Sequence, residues 1–344
     1  MKRQINTTLE NISKQLNVSI STVSRVLNGK SKKYRISKKT TDLILKTAQQ
    51  LDYIPNQLAR GLRLKTTNTI GLIIPDIANP FFAKIASLIE KSARDNGFSV
   101  IISDSEEKTE VEISSLQTLT SRKIDGIIIS PVGGQSKHLA SIKNRNIPIV
   151  TIDRQCLDLE LPFVGSDNFK GAFTAVNYLV KNGHTRIAII QGIKNTSVNI
   201  DRVNGYIEAL KENGISVDKS LIVGENFGEG NGYVEASLLL NIGKRPTAIF
   251  ATGNLISLGA LRAIYEKRLR IPEDISIISF DDQPYSSYLA TPMTTVAQPN
   301  HEIASIAFRL LMDCIETNTT MESYKILLPT KLIIRDSVAK IITH

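Results

Sequence analysis

Val18-Ser19-Ile20-Ser21-Thr22-Val23-Ser24-Arg25-Val26-Leu27-Asn28 is the stretch from which the rest of the chain can be read. Val23, Val26 and Leu27 share one face at helical spacing, and Ser19 stands where a hydroxyl caps a first turn. The opposite face carries Ile20, Ser21, Thr22, Ser24 and Arg25. Lysine or glutamate would make a better solvated helix than serine does, so this face reads as a contact surface. Upstream, Thr7 or Thr8 can cap a helix with Leu9, Ile12 and Leu16 inward, and Glu10 allows a capping box with Thr7. Asn17-Val18 leaves only a short turn. Downstream, a third helix starts near Ser37 and buries Ile44, Ala48 and Leu51. Three short helices with a tight turn between the first two describe a helix-turn-helix, and a plain three-helix bundle is the alternative.

Charge sharpens this reading. Of the 42 basic and 33 acidic side chains, residues 1–65 hold 14 and 3, leaving 28 and 30 for the rest. A strongly basic module on a near-neutral body is the electrostatic footprint of a nucleic-acid binder, although a solvated basic arm has the same sign. In a helix-turn-helix the second helix offers its first residues to the major groove. Arg25 alone there can make the bidentate contact to guanine, Ile20 can press on a thymine methyl, and Ser21 can bond base or phosphate.

Thr8-Leu9, the 18–28 stretch and Tyr53-Ile54-Pro55-Asn56-Gln57-Leu58-Ala59-Arg60-Gly61-Leu62 resemble the headpiece of the lactose-repressor (LacI/GalR) family. The resemblance implies that Ile20, Ser21 and Arg25 read bases. It implies that Thr8, Ser19, Thr22, Asn28, Ser37, Thr40 and Asn56 hold phosphates, and that Ala59 and Leu62 form a minor-groove hinge with Leu62 as its wedge. A helix of about eight residues interrupted by Gly61 is too short to be stable alone and is expected to fold on DNA; a flexible tether is the other reading. Two departures from the family pattern stand out. Asn11 replaces a frequent acidic residue, and the 29–36 connection, with Lys30, Lys32, Lys33 and Arg35, is longer than usual.

From residue 69, short β-rich runs alternate with amphipathic stretches. Strands are expected over 70–75, 98–103, 125–130 and 147–152, then over 186–191, 221–225, 247–251 and 275–280, with late strands at 294–298 and 331–335. Helices closing on Gly97, Gly183 and Gly214 suit left-handed caps. Repeated β-α units give parallel sheets covered by helices. The resemblance gives them the bilobed periplasmic-binding-protein architecture. The expected domains are a headpiece over 1–55, a hinge helix and linker over 56–68, and an effector-binding and dimerisation body over 69–344. Lobe 1 takes 69–166 and 298–328; lobe 2 takes 167–297 and 329–344.

Ligands of open α/β sheets bind beyond the carboxyl ends of strands. That rule selects Asp76, Phe81 and Phe82, Asp104, Asp153-Arg154, Asp201-Arg202, Asn254, Asp281-Asp282 and Gln298. Phe81 is the candidate aromatic wall, with Phe82 read as core. The resemblance places the effector-binding arginine at Arg202, an amide at Asn254 and a carboxylate at Asp281. Where relatives carry a second acid, Leu255 is apolar. This set suits a sugar or sugar acid.

The four histidines fall in no nucleophile or metal pattern, and no phosphate-cradling glycine loop is present. No catalytic residue, metal or cofactor is therefore expected, and the chain does not read as an enzyme. Cys156 and Cys314 read as small buried apolar residues. No apolar run reaches 18 residues and no secretory signal opens the chain, so the protein reads as cytoplasmic, without a membrane partner. The expected partners are near-palindromic double-stranded operator DNA, a small-molecule effector and a second copy of the chain. No leucine heptad tail follows 331–344, which favours a homodimer. Two alternatives remain: a global catabolite regulator of the same fold governed by a phosphocarrier protein, and a sugar-binding protein without DNA function.

Overall fold

The computed structural model describes residues 8–53, 66–317 and 324–341, so the hinge residues Asn56, Ala59 and Leu62 lie outside the described residues. Contacts divide the chain into two units, Met1–Thr67 and Asn68–His344.

The first unit holds α1 (Leu9–Leu16), α2 (Ile20–Leu27) and α3 (Lys38–Gln50). Ile12, Val23, Val26 and Ile44 close its core, each buried. Burying such side chains contributes about 1.5–3 kcal/mol apiece, which a unit this small needs. Each helix begins on a hydroxyl: Thr8, Ser19 and Ser37 accept from the backbone N–H groups of Asn11, Thr22 and Thr40. The capping box of α1 is closed by Asn11, whose Oδ1 accepts from Thr8 N at 2.8 Å. Glu10 instead pairs with Lys14 at 3.0 Å. Asn11 thus supplies the acceptor that an acidic residue would supply. Asn17, in the left-handed region at φ 49°, ends α1 and makes the tight turn.

The longer 29–36 connection is a built structure. Gly29, at φ 69°, closes α2 with paired bonds from Lys30 N to Arg25 O and Gly29 N to Val26 O, both 2.9 Å. This is the doubly bonded left-handed helix cap, which glycine adopts without steric cost. The same pattern repeats at once. Ile36 N donates to Ser31 O at 3.0 Å and Arg35 N to Lys32 O at 3.2 Å, with Arg35 at φ 53°.

The second unit contains two six-stranded sheets. The first is ordered β11-β5-β4-β3-β1-β2, from Lys325–Leu328, Phe163–Ser166, Ile149–Ile152, Gly126–Ile129, Thr69–Ile74 and Ser99–Asp104. The second is ordered β12-β10-β9-β8-β6-β7, from Lys331–Ile333, Thr294–Ala297, Ser276–Phe280, Ala248–Ala251, Ile187–Ile190 and Ile222–Val223. Every pairing is parallel except that of β10 with β12. Helices cover both faces of each sheet, so the strands read as continuous apolar runs such as Ile127-Ile128-Ile129. Gly97, Gly183 and Gly214 all take positive φ at their helix ends, as expected.

Three sequence expectations change. β5 and β11 were not foreseen, and the strand expected over 221–225 shrinks to Ile222–Val223. Leu221 is drawn into a 3-10 turn that Asp218 caps by accepting from Ser220 N at 3.0 Å. His184 is a satisfied core histidine, with Nδ1 2.9 Å from Thr247 Oγ1 and Nε2 donating to Ala339 O at 3.2 Å. Both cysteines are buried, and burial pushes the Cys156 thiol up to about 11.

Candidate functional site

The carboxyl ends of the two sheets meet around a cavity of about 260 Å³. Asp76, Phe81, Asp153, Arg202, Asn254, Asp281 and Gln298 all line it, joined by Phe82 and Arg154. Asp104 does not. Its Oδ2 accepts from Ile77 N at 2.9 Å and its Oδ1 from Glu106 N at 2.8 Å, so the carboxylate staples two loops behind the cavity. Asp282 is likewise diverted, to Arg335 at 2.8 Å. Asp201 is half-buried outside the lining.

Two aspartates occupy matching places, after β4 and after β9. Asp153 at φ 58° and Asp281 at φ 75° both take left-handed backbone, a conformation that is costly unless its surroundings hold it. Asp281 is held by Gln298 Nε2, 2.5 Å away, and Gln298 Oε1 in turn accepts from Ser166 Oγ at 2.6 Å. This chain ties two segments that cross between the sheets.

Arg202, buried on helix Ser197–Glu212, spends Nε on Asn168 Oδ1 at 2.8 Å and Nη1 on Thr252 O at 2.6 Å. Its guanidinium lies 3.7 Å from the centre of the Phe280 ring. Burial lowers its pKa, and it lines the cavity. Among the described residues it forms no ion pair with Asp281 or Asp201.

Arg154 is engaged more completely. Nη1 and Nη2 each donate to Glu107 at 2.6 Å, a two-pronged ion pair on a side chain 3% exposed. Its Nε has no hydrogen-bond partner among the described residues. A buried donor left this way is a candidate for a ligand hydroxyl.

Glu107 and Phe227 were missed in the sequence. Glu107 lies three residues beyond β2, and Phe227 beyond the shortened β7, so the strand-end rule points near both. Phe227 lines the cavity together with Phe81 and Phe82, whose rings meet edge to face at 5.0 Å. A Cβ at Gly192 would run into the Phe227 ring, so glycine there leaves the ring its place. Phe82, read as core, is both core and lining.

On the first unit, Ile20 is 47% exposed, and Ser21 and Arg25 are exposed beside it on the outer face of α2. Thr8, Ser19 and Ser37 are exposed cap residues, while Thr22, Asn28 and Thr40 are half-buried next to them. The Asn28 amide donates back to Ser24 O at 2.6 Å.

A helix-turn-helix with an exposed second helix, joined to a two-sheet body that carries a polar, aromatic-lined cleft, defines a DNA-binding regulator with a ligand-sensing domain. Residues 8–56 match the model for bacterial regulatory proteins of the lacI family, and residues 176–338 that for the periplasmic binding protein-like domain. The chain is 34% identical to the ribose operon repressor of Halalkalibacterium halodurans, over 96% of this chain and 97% of the relative. It is 33% identical to catabolite control protein A of Priestia megaterium, over 97% and 99%. Its structure matches the Lac repressor dimer bound to operator and the anti-inducer ONPF, with TM-score 0.86 and 26% identity, over 97% and 99%. The chain belongs to the lacI family of bacterial regulatory proteins.

Proposed function

We propose that this protein is a transcription repressor that binds a near-palindromic operator as a homodimer, with affinity set by a neutral sugar or sugar derivative held in the cavity. Ile20, Ser21 and Arg25 read bases; Thr8, Ser19, Thr22, Ser37 and Thr40 hold phosphates beside helix N-termini, and Asn28 and Asn56 hold phosphates too. Ala59 and Leu62 form the minor-groove hinge. In the cavity, Asp76, Asp153, Asn254, Asp281 and Gln298 accept from and donate to hydroxyls, and Phe81 and Phe227 stack on a ring face.

The observation that carries the ligand class is the charge of the lining. Asp76, Glu107, Asp153 and Asp281 stand against only Arg154 and Arg202. The Arg154 fork is closed by Glu107, and two of the Arg202 donors are committed to protein. A ligand carboxylate or phosphate would enter an acidic cleft without a free guanidinium fork, at a desolvation cost that pairing would not offset. This favours a neutral sugar over a sugar acid. The name of the Halalkalibacterium relative makes ribose the first sugar to try.

Calorimetry of the full chain against ribose, neutral hexoses, gluconate and ribose 5-phosphate tests this reading. Binding of a neutral sugar, with both anions at least tenfold weaker, supports it. Preferential binding of an anion overturns the ligand class. The likeness to a catabolite control protein keeps a second reading in play, in which operator affinity responds only to a phosphocarrier protein.

A further inference from the structure

Arg25 and Tyr34 are nine residues apart, one on α2 and one in the double-capped 29–36 connection. The Arg25 guanidinium lies 4.1 Å from the centre of the Tyr34 ring. Both side chains are exposed, and Tyr34 is 43% exposed, so burial does not explain the contact. Among the described residues Arg25 makes no side-chain hydrogen bond or ion pair. We infer that Tyr34 is a positioning residue for DNA readout: its ring holds the Arg25 guanidinium by the face and leaves the N–H edge free for a base.

The inference rests on reading Arg25 as a base-contacting residue. A planar guanidinium can stack by its face and still present every donor in its edge plane. An unrestrained arginine gives up rotamer freedom when it docks. A stack already formed in the free protein reduces that loss at binding. The connection is shaped to provide it. The cap at Gly29 turns the chain back toward α2, and the closure at Arg35 fixes the turn that carries Tyr34. Ile36, next in sequence, anchors the far end against the headpiece core.

The experiment uses the full chain and a duplex selected from a random pool, plus duplexes carrying every single base-pair change. Arg25→Ala should flatten discrimination at one position per half-site. Tyr34→Ala should weaken the selected duplex roughly two- to fivefold and reduce discrimination at that same position only. Tyr34→Phe should behave as wild type, because the stack needs the ring and not the hydroxyl. Adding Tyr34→Ala to Arg25→Ala should change nothing further at that position. If Arg25→Ala flattens one position while Tyr34→Ala weakens all duplexes equally or none, the positioning role is overturned and the Arg25 reading survives. If Tyr34→Phe loses as much as Tyr34→Ala, a hydroxyl contact replaces the stack. If Arg25→Ala flattens nothing, the base-reading role falls, and the inference with it.

Discussion

Asn254 donates from Nδ2 to Asn79 Oδ1 at 3.0 Å, joining the helix that follows β8 in the second sheet to the helix that follows β1 in the first. Both side chains are buried. Gln155 N, donating to Ser197 Oγ at 2.8 Å, makes a second bond across the same cleft. Direct lobe-to-lobe hydrogen bonds thus join the two walls of the cavity. Asn254→Ala removes the donor and leaves Asn79 free to cap its own helix through Phe81 N. Sugar affinity in calorimetry should fall by about 1–3 kcal/mol, while ligand-free operator affinity stays within twofold. Unchanged sugar affinity would show that this bond contributes nothing to the closed cavity.

Arg202 cannot be removed cleanly, because Asn168 and Thr252 O would lose their partner. Arg202→Lys keeps the charge and loses the fork. The expected outcome is wild-type operator binding with the sugar response reduced at least tenfold. In a repressor released by its ligand, that variant represses permanently. Wild-type sugar affinity in Arg202→Lys would remove the direct contact.

Asp153 predicts a pH dependence with a definite sign. Burial pushes its carboxyl up to about 6 from the ordinary 3.8, against the pull of Arg154 and Arg202. The folded chain then holds the proton more tightly than the unfolded one. This contribution to stability is fully present below about pH 4 and is lost as pH rises through about 6. Asp153→Asn cannot ionise, so its Tm relative to wild type should rise between about pH 4 and 6 and level off above about pH 7. Differential scanning calorimetry of the two proteins checks this. A gap that is flat, or that narrows with pH, would contradict the buried charge.

The headpiece was legible because each of its signals is local: Ser19 and Ser37 as caps, Asn17 as the turn, Ile12, Val23 and Ile44 as core. The body was legible where strands are central and apolar on both faces. It failed at edges. Phe163–Ser166 follows Pro162 and contains Gly165, which a single sequence reads as loop; β4 and β11 on either side make it a strand. The cavity was mostly legible through the strand-end rule. That rule gives a residue's address, not its partner, so Asp104 was included although two backbone N–H groups take its oxygens. Phe227 and Glu107 were missed because each sits several residues out along a loop rather than at the strand end, and the reach of a loop is set by what it packs against. Tyr34 carried no signal until its ring was seen against Arg25.

The central claim, that a sugar in the cavity controls grip on a specific operator, is tested most directly by one titration. Purified full-length protein is titrated onto its selected duplex and onto a scrambled one, with and without each sugar, over a range of salt. The account predicts at least a thousandfold preference for the selected duplex and a log K against log salt slope of roughly −5 to −10. It predicts that at least one neutral sugar shifts operator affinity about 5- to 150-fold, and that Arg202→Lys abolishes the shift. Equal affinity for the two duplexes, or an operator affinity that no sugar moves and only a phosphocarrier protein does, would contradict it.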